Sequence, residues 1–83
     1  MVVNNENNWH ITTELDLKGL NCPMPILKTK QALMKAEVGD IIRVEATDPH
    51  SEVDFKAYLI RTHHKLLDFA VHSDVYTFVI EKV

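Results

Sequence analysis

The periodicity of the chain changes abruptly between Leu17 and Ile26. Ile11, Thr13, Leu15 and Leu17 alternate with Thr12, Glu14 and Asp16. That period of two marks a half-buried strand over His10 to Leu17. From Pro23 to Ala36 the spacing becomes helical, with Ile26, Leu27, Leu33 and Met34 on one face and Ala32 beside them. Lys18-Gly19-Leu20-Asn21 connects the two patterns, and Gly19 permits a tight turn. Cys22-Pro23-Met24-Pro25 follows at once. Proline suits the first turn of a helix, where its missing N–H would have had no partner. The two prolines thus fix a helix start and put Cys22 beside its N-cap.

The rest of the chain repeats this alternation once and then turns to strands. Asp40 to Thr47 reads as a second strand, with Ile42, Val44 and Ala46 inward and Arg43 and Glu45 outward. Asp48-Pro49 breaks it. Ser51-Glu52-Val53-Asp54 is close to a capping box, so a second helix is expected from Ser51 to about Thr62 with Asp54 as its cap. Its expected buried residues are Val53, Phe55 and Leu59, with Tyr58 and Ile60 alongside. Lys65–His72 and Val75–Lys82 read as strands joined by a short hairpin at Ser73-Asp74. The order is βαβαββ, an α/β chain forming an α+β two-layer sandwich. Right-handed crossovers would place both helices on one face of a mixed four-stranded sheet. Residues 1–8 are polar and Asn-rich and read as a disordered N-terminal tail, leaving 9–83 as a single domain.

The 83 residues allow little enclosed volume, because a chain this short buries only about 60% of its unfolded surface. A function carried by one exposed side chain fits better than one needing a walled cavity. A single cysteine excludes an internal disulfide, a Cys-x-x-Cys pair and a two-thiolate metal site. The five histidines show no ligand spacing, so neither metal nor cofactor is expected. The formal charge of −3 argues against direct nucleic-acid binding. No apolar run approaches a membrane span, and the first residues lack the pattern of a secretory signal. A lone functional thiol suits a reducing cytoplasm. Lys18, Lys28, Lys30 and Lys35 lie between Leu17 and Ala36 with no acid among them, and all twelve acids lie outside that segment. Lys18, Lys28 and Lys30 are therefore candidates for docking an acidic partner. At the helix start, free N–H groups, that of Met24 first, and the positive end of the macrodipole would favour Cys22 as thiolate, with Pro23 and Pro25 stiffening the turn.

Leu15-Asp16-Leu17-Lys18-Gly19-Leu20-Asn21-Cys22-Pro23-Met24-Pro25 resembles the signature of the TusA/SirA-like sulfur carriers, whose hallmark is Cys-Pro-x-Pro. The likeness continues through Gly39-Asp40, Thr47-Asp48-Pro49, Asp54-Phe55 and Tyr76 to Ile80, and covers about residues 12–82. The resemblance implies that Cys22 accepts sulfane sulfur as a persulfide and passes it on, with Gly19, Pro23, Met24 and Pro25 supporting it. The implied partners are a sulfur-donor protein, a cysteine desulfurase or rhodanese-like enzyme, and a sulfur-acceptor protein. The destinations in such families include tRNA thiolation and cofactor maturation. The sequence departs from the family pattern at Asn21, where many members have Arg, at Met24, where some have Glu, and at His63, where Gly is usual. Two other readings are a non-catalytic interaction module of the same fold and a peroxide-sensing thiol.

Overall fold

A computed structural model describes residues 10–83; the expected tail and Trp9 lie outside the described residues. Six elements follow in the expected order: β1 (Thr13–Leu17), α1 (Met24–Lys35), β2 (Ile41–Ala46), α2 (Ser51–Thr62), β3 (Lys65–His72) and β4 (Val75–Glu81). The sheet order is β1-β2-β4-β3. β1 pairs parallel with β2, from Thr13 opposite Ile42 to Leu17 opposite Ala46. β4 pairs antiparallel with both β2 and β3, so β2 and β3 run the same way with β4 inserted between them. Both helical connections step in one direction across the sheet. Two crossovers of one hand and one direction put both helices on one face.

The core lies between that face and the helices. Ile42, Val44 and Ala46 of β2 and Phe78 and Ile80 of β4 meet Leu33 of α1 and Phe55 and Leu59 of α2. The Phe55 ring stacks on Phe78 with centroids 4.3 Å apart, and Phe69 joins at 5.1 Å. The opposite face carries ion pairs instead: Arg43 with Glu14 and Glu45, and Lys18 with Glu45 and Asp16. A register shift between Leu66 and Asp68 turns Leu66 and Phe69 toward the same side, although three positions separate them.

Leu33, Phe55 and Leu59 are buried as expected, but each helix turns some of the other expected residues outward. In α1 the buried residues are Pro25, Thr29 and Leu33, while Leu27 and Met34 face solvent. Thr29 is buried because its Oγ1 donates to the carbonyl of Pro25 at 2.9 Å, which satisfies the hydroxyl without water. That centres the stripe on an i, i+4 row and sends Leu27 and Met34 to the far side. In α2 the row is Ser51, Phe55 and Leu59, so Val53 and Ile60 are exposed. No spacing rule forbids apolar residues on an outer helix face.

The C-terminal ends of the two helices are finished differently, α1 by a distant side chain and α2 by its own backbone. The Lys82 ammonium donates to the carbonyls of Leu33 and Ala36 at the C-terminal end of α1, where Leu33 also accepts the N–H of Ala36. His63 ends α2 in the left-handed region at φ 68°, with its N–H on the carbonyl of Leu59. Ser73 and Asp74 both have positive φ, as a two-residue hairpin with a type I′ turn requires. A left-handed conformation costs an L-residue about 1–2 kcal/mol that glycine avoids. His63→Gly should therefore stabilise the fold, by about 1 kcal/mol once glycine's greater unfolded-state freedom is subtracted. Thermal unfolding should show a midpoint about 4–8 °C higher; an unchanged or lower midpoint would contradict this account of the α2 terminus.

Candidate functional site

The site forms where β1 ends and α1 begins. Gly19 makes the turn at φ 88°, and its N–H donates to Thr47 Oγ1 at 2.9 Å. The N–H of Leu20 returns to the carbonyl of Leu17 at 3.2 Å. Cys22 is exposed, and the Cys22–Pro23 peptide is cis. Pro23 is the N-cap, Met24 opens the helix and Pro25 is buried in its first turn. Cys22 thus lies one residue before the cap.

The expected free amide of Met24 is occupied: it donates to the carbonyl of Asn21 at 2.8 Å. The amide of Leu27 is taken by the carbonyl of Pro23 at 3.1 Å, and the two prolines have none to offer. These bonds and the two prolines make the turn rigid. The N–H of Cys22 itself donates to Asp48 Oδ2.

Asp48 and Asp54 are the residues that sequence reasoning undervalued. Asp48 reads as a strand stop, yet it is 6% exposed and bonded on both carboxylate oxygens. Oδ1 accepts the N–H of His50 and faces its ring Nδ1, each at 3.0 Å, while the Asp48 carbonyl accepts the N–H of Ser51 at 2.9 Å. It therefore starts α2 in place of the expected Ser51–Asp54 box. The N-cap is His50 with no side-chain cap bond, and Ser51 Oγ is buried without a partner. Asp54 does not cap the helix. Its N–H bonds to the carbonyl of His50, and its Oδ2 accepts a hydrogen bond from Cys22 Sγ at 3.7 Å. The Asp48-Pro49 pair and Asp54, six residues on, were visible as residues, but nothing in their spacing points to Cys22.

These carboxylates reverse the expected electrostatics. Partial burial pushes the Cys22 thiol up from its ordinary value, and the charge and hydrogen bond of Asp54 and the charge of Asp48 push the same way. A like charge and a hydrogen bond donated by the neutral thiol both favour S–H over S⁻. Asp48 moves the other way. The His50 amide, the His50 ring and the Cys22 amide hold its carboxyl below the usual range, against the opposing effect of burial.

The three candidate docking lysines do not form one patch. Lys18 is tied to Glu45 at 2.9 Å and Asp16 at 3.2 Å. Lys28 and Lys30 flank the buried stripe of α1 on opposite sides, about 200° apart on a helix turning about 100° per residue. Lys28 borders β1 beside Leu15 and Leu17. Lys30 lies over the Tyr58 ring, 5.2 Å from its centroid, in an open groove of about 270 Å³ that also includes Ile26, Asp54 and Arg61.

One exposed thiol at a strand–helix junction, on a thin two-layer domain with open surface around it, defines a class of protein suited to carrying a covalently attached group. Comparison with known proteins makes the class specific. The family model described as Sulfurtransferase TusA matches residues 13–82. The sulfur carrier protein TusA of Allochromatium vinosum is 41% identical over 69 residues, covering 83% of this chain and 91% of its own. A putative sulfur carrier protein of Neisseria meningitidis serogroup A is 43% identical over 67 residues, covering 81% and 90%. The crystal structure of a SirA-like protein from Desulfitobacterium hafniense superposes with a TM-score of 0.74 at 19% identity, covering 84% of this chain and 96% of that one. The chain belongs to the TusA family of sulfur carriers, proteins that work between a sulfur donor and a sulfur acceptor. No helix among the described residues is long and apolar enough to cross a membrane.

Two outcomes follow from the charges at the junction. Because the folded thiol ionises above its ordinary value, its alkylation rate by iodoacetamide should rise with pH later than that of an Asn-Cys-Pro-Met-Pro peptide. Asp54→Asn should move the midpoint down; a native midpoint at or below the peptide's would refute this account of the sulfur. Asp48 has a folded pKa below its ordinary 3.8. Its contribution is therefore complete above the unfolded value and fades as pH falls through the folded one. Asp48→Asn should lower the urea midpoint at pH 7 and flatten its fall between about pH 5 and pH 2; an acid limb of unchanged steepness would count against the role given to Asp48.

Proposed function

We propose that Cys22 is the sulfur-carrying residue of this chain and holds the sulfur as a persulfide. The observation that supports this most directly is a lone, exposed sulfur on a junction held by Asp48 and two prolines. In the loading step the Cys22 thiolate attacks the outer sulfur of a donor persulfide. The donor's S–S bond breaks, its cysteine leaves as thiolate, and that thiolate recovers the proton Cys22 gave up. One thiol and one persulfide exchange roles, with no change in total oxidation state. Unloading to an acceptor thiol is the same step reversed. With no second cysteine to close a disulfide, the loaded chain keeps its sulfur until a partner removes it.

Gly19, Pro23, Met24 and Pro25 shape the junction that presents the sulfur. Among the lysines, Lys30 is the best placed for docking because its groove includes Asp54, the contact of Cys22 Sγ. Exposed Met24 and Leu27 add apolar surface on the first turns of α1. The donor is a cysteine desulfurase or rhodanese-like enzyme and the acceptor a second protein, in a pathway such as tRNA thiolation or cofactor maturation. The setting is the cytoplasm, and residues 9–83 act as one domain.

Incubation with a persulfide-bearing donor protein, followed by intact-mass measurement, tests this. The native chain should gain the mass of one sulfur, removed by dithiothreitol, and Cys22→Ala should gain none. A native chain that stays unloaded with every donor class, while still binding a partner equally well as Cys22→Ala, would instead identify a non-catalytic module.

A further inference from the structure

Asp54 touches the sulfur and is committed to nothing else. Its Oδ2 accepts from Cys22 Sγ, and among the described residues its carboxylate has no other hydrogen-bond partner and belongs to no ion pair. The fold does not require it there, because α2 is started by Asp48 and the Asp54 amide bonds independently of its side chain. Asp48, by contrast, spends both carboxylate oxygens on Cys22 and His50. The cations of the groove, Lys30 and Arg61, lie over the Tyr58 ring at 5.2 and 6.0 Å and form no ion pair with Asp54. Anything approaching the sulfur therefore meets, at contact range, a negative charge that is in no ion pair among the described residues.

Near a protein surface such a charge acts through an effective dielectric of about 20 rather than 80, so it discriminates between approaching ions. Small sulfur compounds in water, thiosulfate and polysulfide among them, are anions. A protein that brings a persulfide can bring a lysine or arginine with it.

We propose, resting on the reading of Cys22 as the sulfur carrier, that Asp54 selects what reaches the thiol: it turns away anionic sulfur compounds and receives a cationic side chain presented by the protein partner. Pairing that cation with Asp54 also removes the like charge that opposes the thiolate. The sulfur then becomes nucleophilic inside the complex and stays quiet outside it. Asp54 acts here as a selectivity residue, through its field on Cys22, and takes no part in bond making.

Thiol–disulfide exchange with three small disulfides reads this directly: cystamine (cationic), 2-hydroxyethyl disulfide (neutral) and dithiodipropionate (anionic). In each reaction the Cys22 thiolate attacks one sulfur, the S–S bond breaks and half the reagent leaves as a thiolate. The attacking group is the same throughout, so the thiolate fraction cancels from the ratio of rates. The cystamine-to-dithiodipropionate ratio should exceed that of the Asn-Cys-Pro-Met-Pro peptide by about three- to tenfold. It should fall toward the peptide's value in Asp54→Asn and in concentrated salt, and stay high in Glu52→Gln on the same helix. A native ratio equal to the peptide's would overturn the proposal, as would an equal fall in both variants. Should Asp54→Asn fail to fold, the salt series on the native chain decides by itself: a ratio that does not fall with salt overturns the proposal. Sulfur loading is scored separately. Loss of charge preference with loading intact removes the role of Asp54 alone, whereas preserved preference with no loading removes the carrier reading.

Discussion

The carboxylate of Asp48 is the joint on which the site is built. One oxygen holds the Cys22 amide, the other holds His50, and its carbonyl holds Ser51. It therefore ties the first strand–helix junction to the second. It can do so because β1 and β2 are parallel neighbours, in register through Leu17 and Ala46. Parallel strands end at the same edge of a sheet, and the helices that follow start there together. A buried carboxylate at that edge is tolerable only with its acceptor sites filled, and here both oxygens are used.

The charge at the sulfur follows from the same geometry. A helix N-terminus on its own favours an anion. In this chain the Met24 and Leu27 amides are occupied, Pro23 and Pro25 have none to offer, and the groups that reach the sulfur are carboxylates. Specific neighbours at contact range outweigh the diffuse field of a short helix. The result is a sulfur that is exposed yet held toward its protonated form. For a carrier with no resolving cysteine, restraint between encounters matters as much as reactivity during them.

Much of the fold was legible in local pattern. The six elements, the start of α2 at Ser51, the hairpin at Ser73-Asp74 and the placement of Cys22 at a strand–helix junction all follow from periodicity and turn chemistry. The helix faces were less legible. Thr29 counts as polar in any pattern, but its hydroxyl bonds one turn back and lets it sit in the core, which displaces Leu27 and Met34 outward. The bulge in β3 escaped for a similar reason, since a strict period of two cannot put Leu66 and Phe69 on one side.

By itself the sequence determined that one thiol would stand at the head of a proline-stiffened helix in a βαβαββ chain, because strand period, helix period and proline's fixed backbone are local properties. Only the tertiary structure decided what that thiol feels. Asp48 and Asp54 lie 26 and 32 residues from Cys22, and Lys82 reaches α1 from just beyond the last strand. No local rule links positions so far apart. The crossovers bring them together, and contact rather than spacing sets the charge around the sulfur.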